Sequence, residues 1–160
     1  GWNAVCYRGP ERPVETALTT ALNSVVGLYR LRPDQQFDKW FAGRPEFSTI
    51  TALSPYDSLF VLSGSNITWQ QETSSAALTS LNLAPGWNSV CYAGATQDTQ
   101  TATADISTQV GVMYALGANQ VWSRFIPGRP EISQLTQLEQ FTCPLVLVTD
   151  PEGATWTFSP

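Results

Sequence analysis

The heptapeptide Gly1-Trp2-Asn3-Ala4-Val5-Cys6-Tyr7 returns as Gly86-Trp87-Asn88-Ser89-Val90-Cys91-Tyr92, 85 positions on. Without a gap, the same offset carries Tyr29 onto Tyr114 and Leu31 onto Leu116. It carries Phe37 onto Trp122, Trp40 onto Phe125, Gly43-Arg44-Pro45-Glu46 onto Gly128-Arg129-Pro130-Glu131, and Val61-Leu62 onto Val146-Leu147. After two extra residues, Ile67-Thr68-Trp69 matches Ala154-Thr155-Trp156. An ungapped register this long marks a tandem duplication, which has to be read before any local motif. It divides the chain into repeat 1 (1–71), an inter-repeat segment (72–85) and repeat 2 (86–160).

Within a repeat the hydrophobic period changes along the chain. Residues 2–8 alternate as a strand and end at Gly9-Pro10. Val14, Ala17, Leu18, Ala21, Leu22 and Val25 then recur at helical spacing behind Pro13; the second copy keeps Ala102, Ile106 and Val110 behind an Asp98 cap. Val25–Leu31 and 36–41 form a hairpin around Arg32-Pro33-Asp34. A second hairpin is expected from Leu59–Leu62 with 67–70, and in repeat 2 from Pro144–Val148 with Ala154–Phe158. The fold class is therefore mainly β (α+β): two homologous repeats of about 75–85 residues, each strand-helix-hairpin-loop-hairpin, packed with pseudo-two-fold symmetry, since a repeat this short is marginal alone. The segment 72–84 has no partner in repeat 2; it reads as a linker, a short helix or a strand pairing elsewhere.

Composition removes several function classes. The chain has 160 residues, a net charge of −5 and 13% charged residues. An acidic chain lacks the basic face that releases counterions from nucleic-acid phosphates, and its apolar runs are too short to cross a bilayer as helices. No histidine is present, which removes imidazole acid–base chemistry, His-dependent nucleophiles and imidazole metal sites. No cofactor is implied. Lys39 is the only lysine, and serine and threonine number 32; a surface of hydroxyls and amides fits an extracellular, cell-surface setting. A chain opening on Gly1 reads as processed or excised. Pro85 precedes the internal Gly-Trp-Asn, and Pro160 would do so again in a longer array.

The Gly-Trp-Asn opening, the Tyr/Trp-bearing hairpin and the Pro127-Gly128-Arg129-Pro130 turn resemble a tandem module of secreted and cell-surface proteins of filamentous, Chloroflexota-type bacteria. The likeness spans 1–69 and 86–156. In that module a late strand carries Tyr-Trp; here Leu59-Phe60 and Pro144-Leu145 stand in its place. The resemblance implies an extracellular accessory or structural module without catalytic activity.

Several residues invite a functional reading. Cys6 and Cys91 occupy equivalent strand positions, and Cys143 falls on Ser58. If the opening strand neighbours the late strand, Cys91 and Cys143 form a disulfide within repeat 2 and Cys6 is a buried thiol or a link to another chain; otherwise all three are small buried hydrophobes. No Cys-x-x-Cys is present, so no metal site is expected. Trp2, Trp87, Tyr29, Tyr114, Trp40 and Trp122 could form a sugar-stacking platform, although core packing fits duplicated positions better. Trp40, Phe41, Trp122 and Phe125 are singled out as aromatics for assembly or ligand binding. In the repeated turn Gly43, Arg44, Pro45, Glu46 and Gly128, Arg129, Pro130, Glu131, glycine and proline have backbone roles, and each Arg can pair with its Glu. Glu46 and Glu131 would serve a hydrolase only if they faced each other. Asn66-Ile67-Thr68 is a formal glycosylation sequon.

These readings combine into a non-enzymatic extracellular assembly module, the repeating subunit of a surface filament, sheath or adhesin. Its partners would be copies of itself or other surface proteins, with contacts at 72–84, at Ala154–Phe158 and at Trp40 and Trp122. A polysaccharide-binding module on Trp40 and Trp122 is the alternative, and a carboxylate hydrolase a remote third.

Overall fold

A computed structural model describes residues 1–74 and 77–158. The first half runs β1 (Trp2–Cys6), β2 (Arg12–Pro13), α1 (Val14–Leu18), a 3-10 turn over Thr19–Ala21, β3 (Val25–Leu31), β4 (Phe37–Phe41), β5 (Ala52–Leu53) and β6 (Ser58–Ser63). β7 (Ser80–Leu83) follows. The second half runs β8 (Gly86–Ser89), β9 (Gln97–Asp98), α2 (Thr99–Ala102), a 3-10 turn over Ala104–Ile106, β10 (Val110–Leu116), β11 (Trp122–Phe125), β12 (Gln137–Leu138), β13 (Leu145–Val148) and β14 (Ala154–Thr157).

The protein is mainly β, built from small antiparallel sheets that do not close into a barrel. One four-stranded sheet has the order β1-β6-β3-β4; the other reads β8-β13-β10-β11. Two-residue ladders β2–β5 and β9–β12 bring the start of each helix against its half.

The alternation in these strands sorts side chains onto two faces. Leu28 pairs with Val61 and with Trp40, and all three point into a core with Tyr7, Val14, Leu18, Leu53 and Leu59. In the second half Met113 pairs with Val146 and with Phe125, over Tyr92, Ile106, Leu138 and Trp156. The opposite faces carry Trp2, Ala4, Tyr29 and Phe60 in the first sheet, by the register Ala4–Phe60 and Tyr29–Phe60. Burial of the inner faces supplies most of the folding drive, at about 1.5–3 kcal/mol per large side chain.

Both helices are shorter than the spacing predicts. α1 ends where Thr19 takes a positive φ of 37°, and Val25 already belongs to the ladder opposite Ser63. Strand pairing of Val25-Val26 takes precedence over helical periodicity, as β-branched residues favour. α2 is capped as expected: the Asp98 carboxylate accepts from the Thr101 N–H at 3.1 Å.

The second hairpin expected in each half does not form. Residues 67–70 are not a strand, and β6 pairs instead with β1 and β3. In the second half β14 pairs with β7, not with β13. Gly153 (φ 80°) fixes this route: a Cβ there would sit 2.4 Å from the Leu83 carbonyl oxygen, so only glycine lets the turn lie against β7. Two of the expected assembly segments, 72–84 and Ala154–Phe158, thus pair with each other; Ser75, Ala76, Ser159 and Pro160 lie outside the described residues.

Trp69 and Trp156 do equivalent work despite these differences. Trp69 Nε1–H donates to the Ala17 carbonyl at 2.9 Å, and Trp156 Nε1–H to the Ala102 carbonyl at 2.7 Å. Trp69 stacks on Tyr7 and Trp156 on Tyr92, whose hydroxyls donate to the carbonyls of Pro10 and Ala95.

Candidate functional site: an aromatic cleft beside a sulfur cluster

The outer faces of the two four-stranded sheets meet. At their junction Cys6 and Cys91 form a disulfide with a Cα–Cα distance of 5.3 Å. The Ser58 and Ser89 hydroxyls bond each other at 2.8 Å. This corrects the expected Cys91–Cys143 disulfide: Cys143 is a free, buried thiol. The premise was right, because β8 does neighbour β13. Cys6 intervenes, since it projects from the facing sheet directly at Cys91. All three sulfurs lie within 4.8 Å of one another. With two of them bonded to each other, one thiol remains, which is not a ligand set.

Beside this junction the sheets part into a cleft of about 680 Å³. Trp2, Tyr29, Phe37 and Phe60 line it from the first half; Trp122, Leu116 and Leu145 line it from the second. The rings brace one another: Trp2 lies 5.5 Å from Tyr29, Tyr29 stands edge-on to Phe37 at 6.4 Å, and Phe60 meets Trp122 across the cleft at 6.2 Å. Trp2 is 41% exposed, Phe37 51% and Trp122 43%.

A side chain from the other half fixes the position of Trp2. The Gln120 amide accepts from the Trp2 N–H at 2.9 Å and donates to the Trp2 carbonyl at 2.7 Å. Gln35 does the same for Trp87, at 2.8 and 3.1 Å. Both glutamines are turn residues with φ near +65° (66° and 64°). Each amide acts as a one-residue β-partner for a strand of the opposite half. Gln120 also lines the cleft, and both ends of its amide bond the Trp2 backbone.

Of the four aromatics singled out from sequence, Trp122 is in the cleft. Trp40 and Phe125 are buried, at 4% and 5%, in the cores of their own halves. Trp40 Nε1–H donates to the Glu15 carboxylate at 3.0 Å. Phe41 stands edge-on to Tyr29 at 5.7 Å and is half-buried. The missed rings are Phe60, which faces Trp122, and Phe37, the offset partner of Trp122. Strand parity could have found Phe37: it and Trp40 are three apart on one strand and so face opposite ways. Trp2 and Tyr29 were weighed as platform residues, and they belong to the cleft.

The Gly-Arg-Pro-Glu turns lie elsewhere. Gly43 and Gly128 take φ of 67° and 71°, a 3-10 turn follows each proline, and Arg44–Glu46 (3.8 Å) and Arg129–Glu131 (3.7 Å) are loose and exposed. Exposed pairs of that length contribute little. Ser48 and Ser133 hold the turns: each hydroxyl donates to the Arg44 or Arg129 carbonyl and accepts from the Phe41 or Ile126 N–H. Each glutamate faces its own arginine. Asn66 is exposed in a loop.

Burial pushes the Cys143 thiol up to about 12, against weaker opposing effects of the Ser58 hydroxyl and the Leu59 backbone. It is neutral across the physiological range. No helix among the described residues is long and apolar enough to cross a membrane. Comparison with protein families, with curated proteins and with solved structures finds no match.

Proposed function

We propose that the chain is a non-enzymatic extracellular module of two tandem copies packed about a pseudo-two-fold axis, and that it works by assembly. The aromatic cleft docks against a second copy of the chain, making it a subunit of a surface filament, sheath or adhesin. Three pairings support the two-fold relation. The disulfide joins positions 85 apart, the two glutamine–tryptophan contacts are reciprocal, and the two sheets share one order under the offset. The disulfide also suits an oxidising compartment.

One observation carries the assembly reading. The cleft presents three half-exposed rings, Trp2, Phe37 and Trp122, flanked by Phe60, Leu116 and Leu145, with walls drawn from both halves. A sugar site sets several directed polar side chains beside its stacking faces, whereas this lining holds one amide, Gln120, and no charged side chain. An aromatic, braced, uncharged surface is what a protein interface core requires. The rings come from both halves, so the disulfide and the glutamine contacts fix the shape that docks.

Light scattering over a concentration series tests this. The wild-type chain is expected to associate and Trp122→Ala to run as a 17.5 kDa monomer. A wild-type monomer at every concentration, with saturable binding to a polysaccharide lost in Trp122→Ala, would replace assembly with the carbohydrate reading.

A further inference from the structure

We infer that Cys143 is a resident nucleophile for the Cys6–Cys91 disulfide, and that the chain has a second disulfide form, Cys91–Cys143, in which the covalent tie between the halves is released.

The register carries this. β8 and β13 pair with Ser89 opposite Leu145. The ladder continues past both strands: the Val90 N–H donates to the Pro144 carbonyl at 3.1 Å, and the Tyr92 N–H to the Thr142 carbonyl at 2.9 Å. Cys91 and Cys143 are therefore directly opposed and bracketed by those two bonds, a non-hydrogen-bonded pair. Such pairs bring their Cα atoms to about 4.5 Å, inside the range a disulfide spans. The same Cys91 reaches across to Cys6, and all three sulfurs lie within 4.8 Å. Cys91 thus has two partners in reach, one in each half.

The exchange balances without any added reagent. The Cys143 thiolate forms a bond to Cys91 Sγ, and the Cys91–Cys6 bond breaks. Cys6 leaves as a thiolate and takes up the proton that Cys143 gave. One disulfide and one thiol stand on each side, so nothing is oxidised or reduced overall. Attack on Cys91 converts a bond between halves into one within the second half. The serine contact and the two glutamine contacts then remain among the polar links between the sheets.

The nearby groups set the rate. Ser58 and the Leu59 backbone bond the thiol; the Phe141 carbonyl accepts from Cys143 Sγ at 3.9 Å. Tyr56 and Phe141 pack against the three sulfurs, and the Arg8 guanidinium lies over the Phe141 ring, 4.5 Å from its centre. Burial keeps the thiol protonated near neutrality, so exchange is slow there and speeds up with the thiolate fraction, about tenfold per pH unit.

The sequence provides a clean readout. Trypsin cuts after Arg8, Arg30, Lys39 and Arg124, because proline follows Arg12, Arg32, Arg44 and Arg129. Cys6, Cys91 and Cys143 therefore fall in three peptides, 1–8, 40–124 and 125–160. The oxidised protein would be held at pH 7 and at pH 9.5 and sampled over time. Its free thiol would be blocked with N-ethylmaleimide in acidified denaturant before digestion. The expected result is a label on 125–160 at the start that moves to 1–8, faster at pH 9.5, with 40–124 becoming linked to 125–160 while the near-ultraviolet dichroism of the tryptophans persists. A label that stays on 125–160 at both pH values would overturn the inference. So would a label appearing on 40–124, or movement only as the dichroism is lost.

Discussion

The Gln120 side chain holds both backbone hydrogen-bonding groups of Trp2, 118 residues away, at 2.9 and 2.7 Å. A single amide thereby substitutes for a strand and fixes one wall of the aromatic cleft from the opposite half. Gln35 and Trp87 repeat the arrangement.

Gln120→Ala is expected to cost about 1–2 kcal/mol in urea unfolding, the net worth of two partly solvated bonds. Alanine carries the same positive-φ strain that Gln120 already bears at 64°, so the difference reports the bonds. Gln120→Gly relieves that strain and should lose about 1 kcal/mol less than alanine does. Equal losses in the two variants would mean the turn conformation is not strained.

Reducing the disulfide should matter more. It closes a loop spanning 85 residues, and the chain-entropy account puts the stabilisation of such a loop at about 4–5 kcal/mol, less any enthalpic offset. Urea unfolding with a phosphine reductant present should show a loss of at least about 2 kcal/mol. A reduced protein with an unchanged midpoint would mean that the non-covalent sheet contacts alone fix the halves.

Much of this architecture was legible because it depends on local period. The alternation in β1, the β3–β4 turn and the Asp98 cap all follow from neighbouring residues. The offset also put Cys6 and Cys91 at equivalent positions, without showing that they bond each other. What could not be read depended on distant competition. Leu59–Leu62 carries a hairpin's apolar pattern, yet its ladder partners are β1 and β3, far off in the chain. Cys91 has two cysteine sulfurs within 4.8 Å, and adjacency of strands alone favours Cys143. Trp40 is buried for a nearer reason: strand parity turns it to the inner face beside Leu28, while Phe37, three residues back, faces out.

The paired indole bonds separate burial from chemistry. Trp156 is fully buried and its N–H meets the Ala102 carbonyl; Trp69 makes the same bond to Ala17 while partly exposed. Trp156→Phe leaves a buried carbonyl unpaired and a void where the larger ring was, so a loss of about 2–4 kcal/mol is expected. Trp69→Phe lets water reach the Ala17 carbonyl and should cost about half as much or less. Thermal or urea unfolding of the two variants decides it, and equal losses would place the energy in ring stacking on Tyr7 and Tyr92 instead.

The Cys143 thiol predicts an alkaline slope with a definite sign. In the folded chain its pKa is about 12, against 9.0 for the free thiol. Between those values the unfolded chain has lost the proton and the folded chain has kept it. The unfolded state then binds fewer protons, so stability falls as pH rises through this window, by up to about 1.4 kcal/mol per unit. Below about pH 8 the thiol is protonated in both states and adds no slope. Cys143→Ala removes the titrating group, while the raised pKa of Tyr7 acts in both proteins and cancels in the difference. Unfolding free energies of the two, read from pH 7 to 10.5 after exposures too brief for the slow thiol–disulfide exchange to move the free thiol to Cys6, should therefore run parallel up to about pH 8 and converge or cross above it, with the wild type falling faster. Curves that stay parallel throughout would mean the folded thiol ionises as readily as the free one, and that water reaches the sulfur cluster.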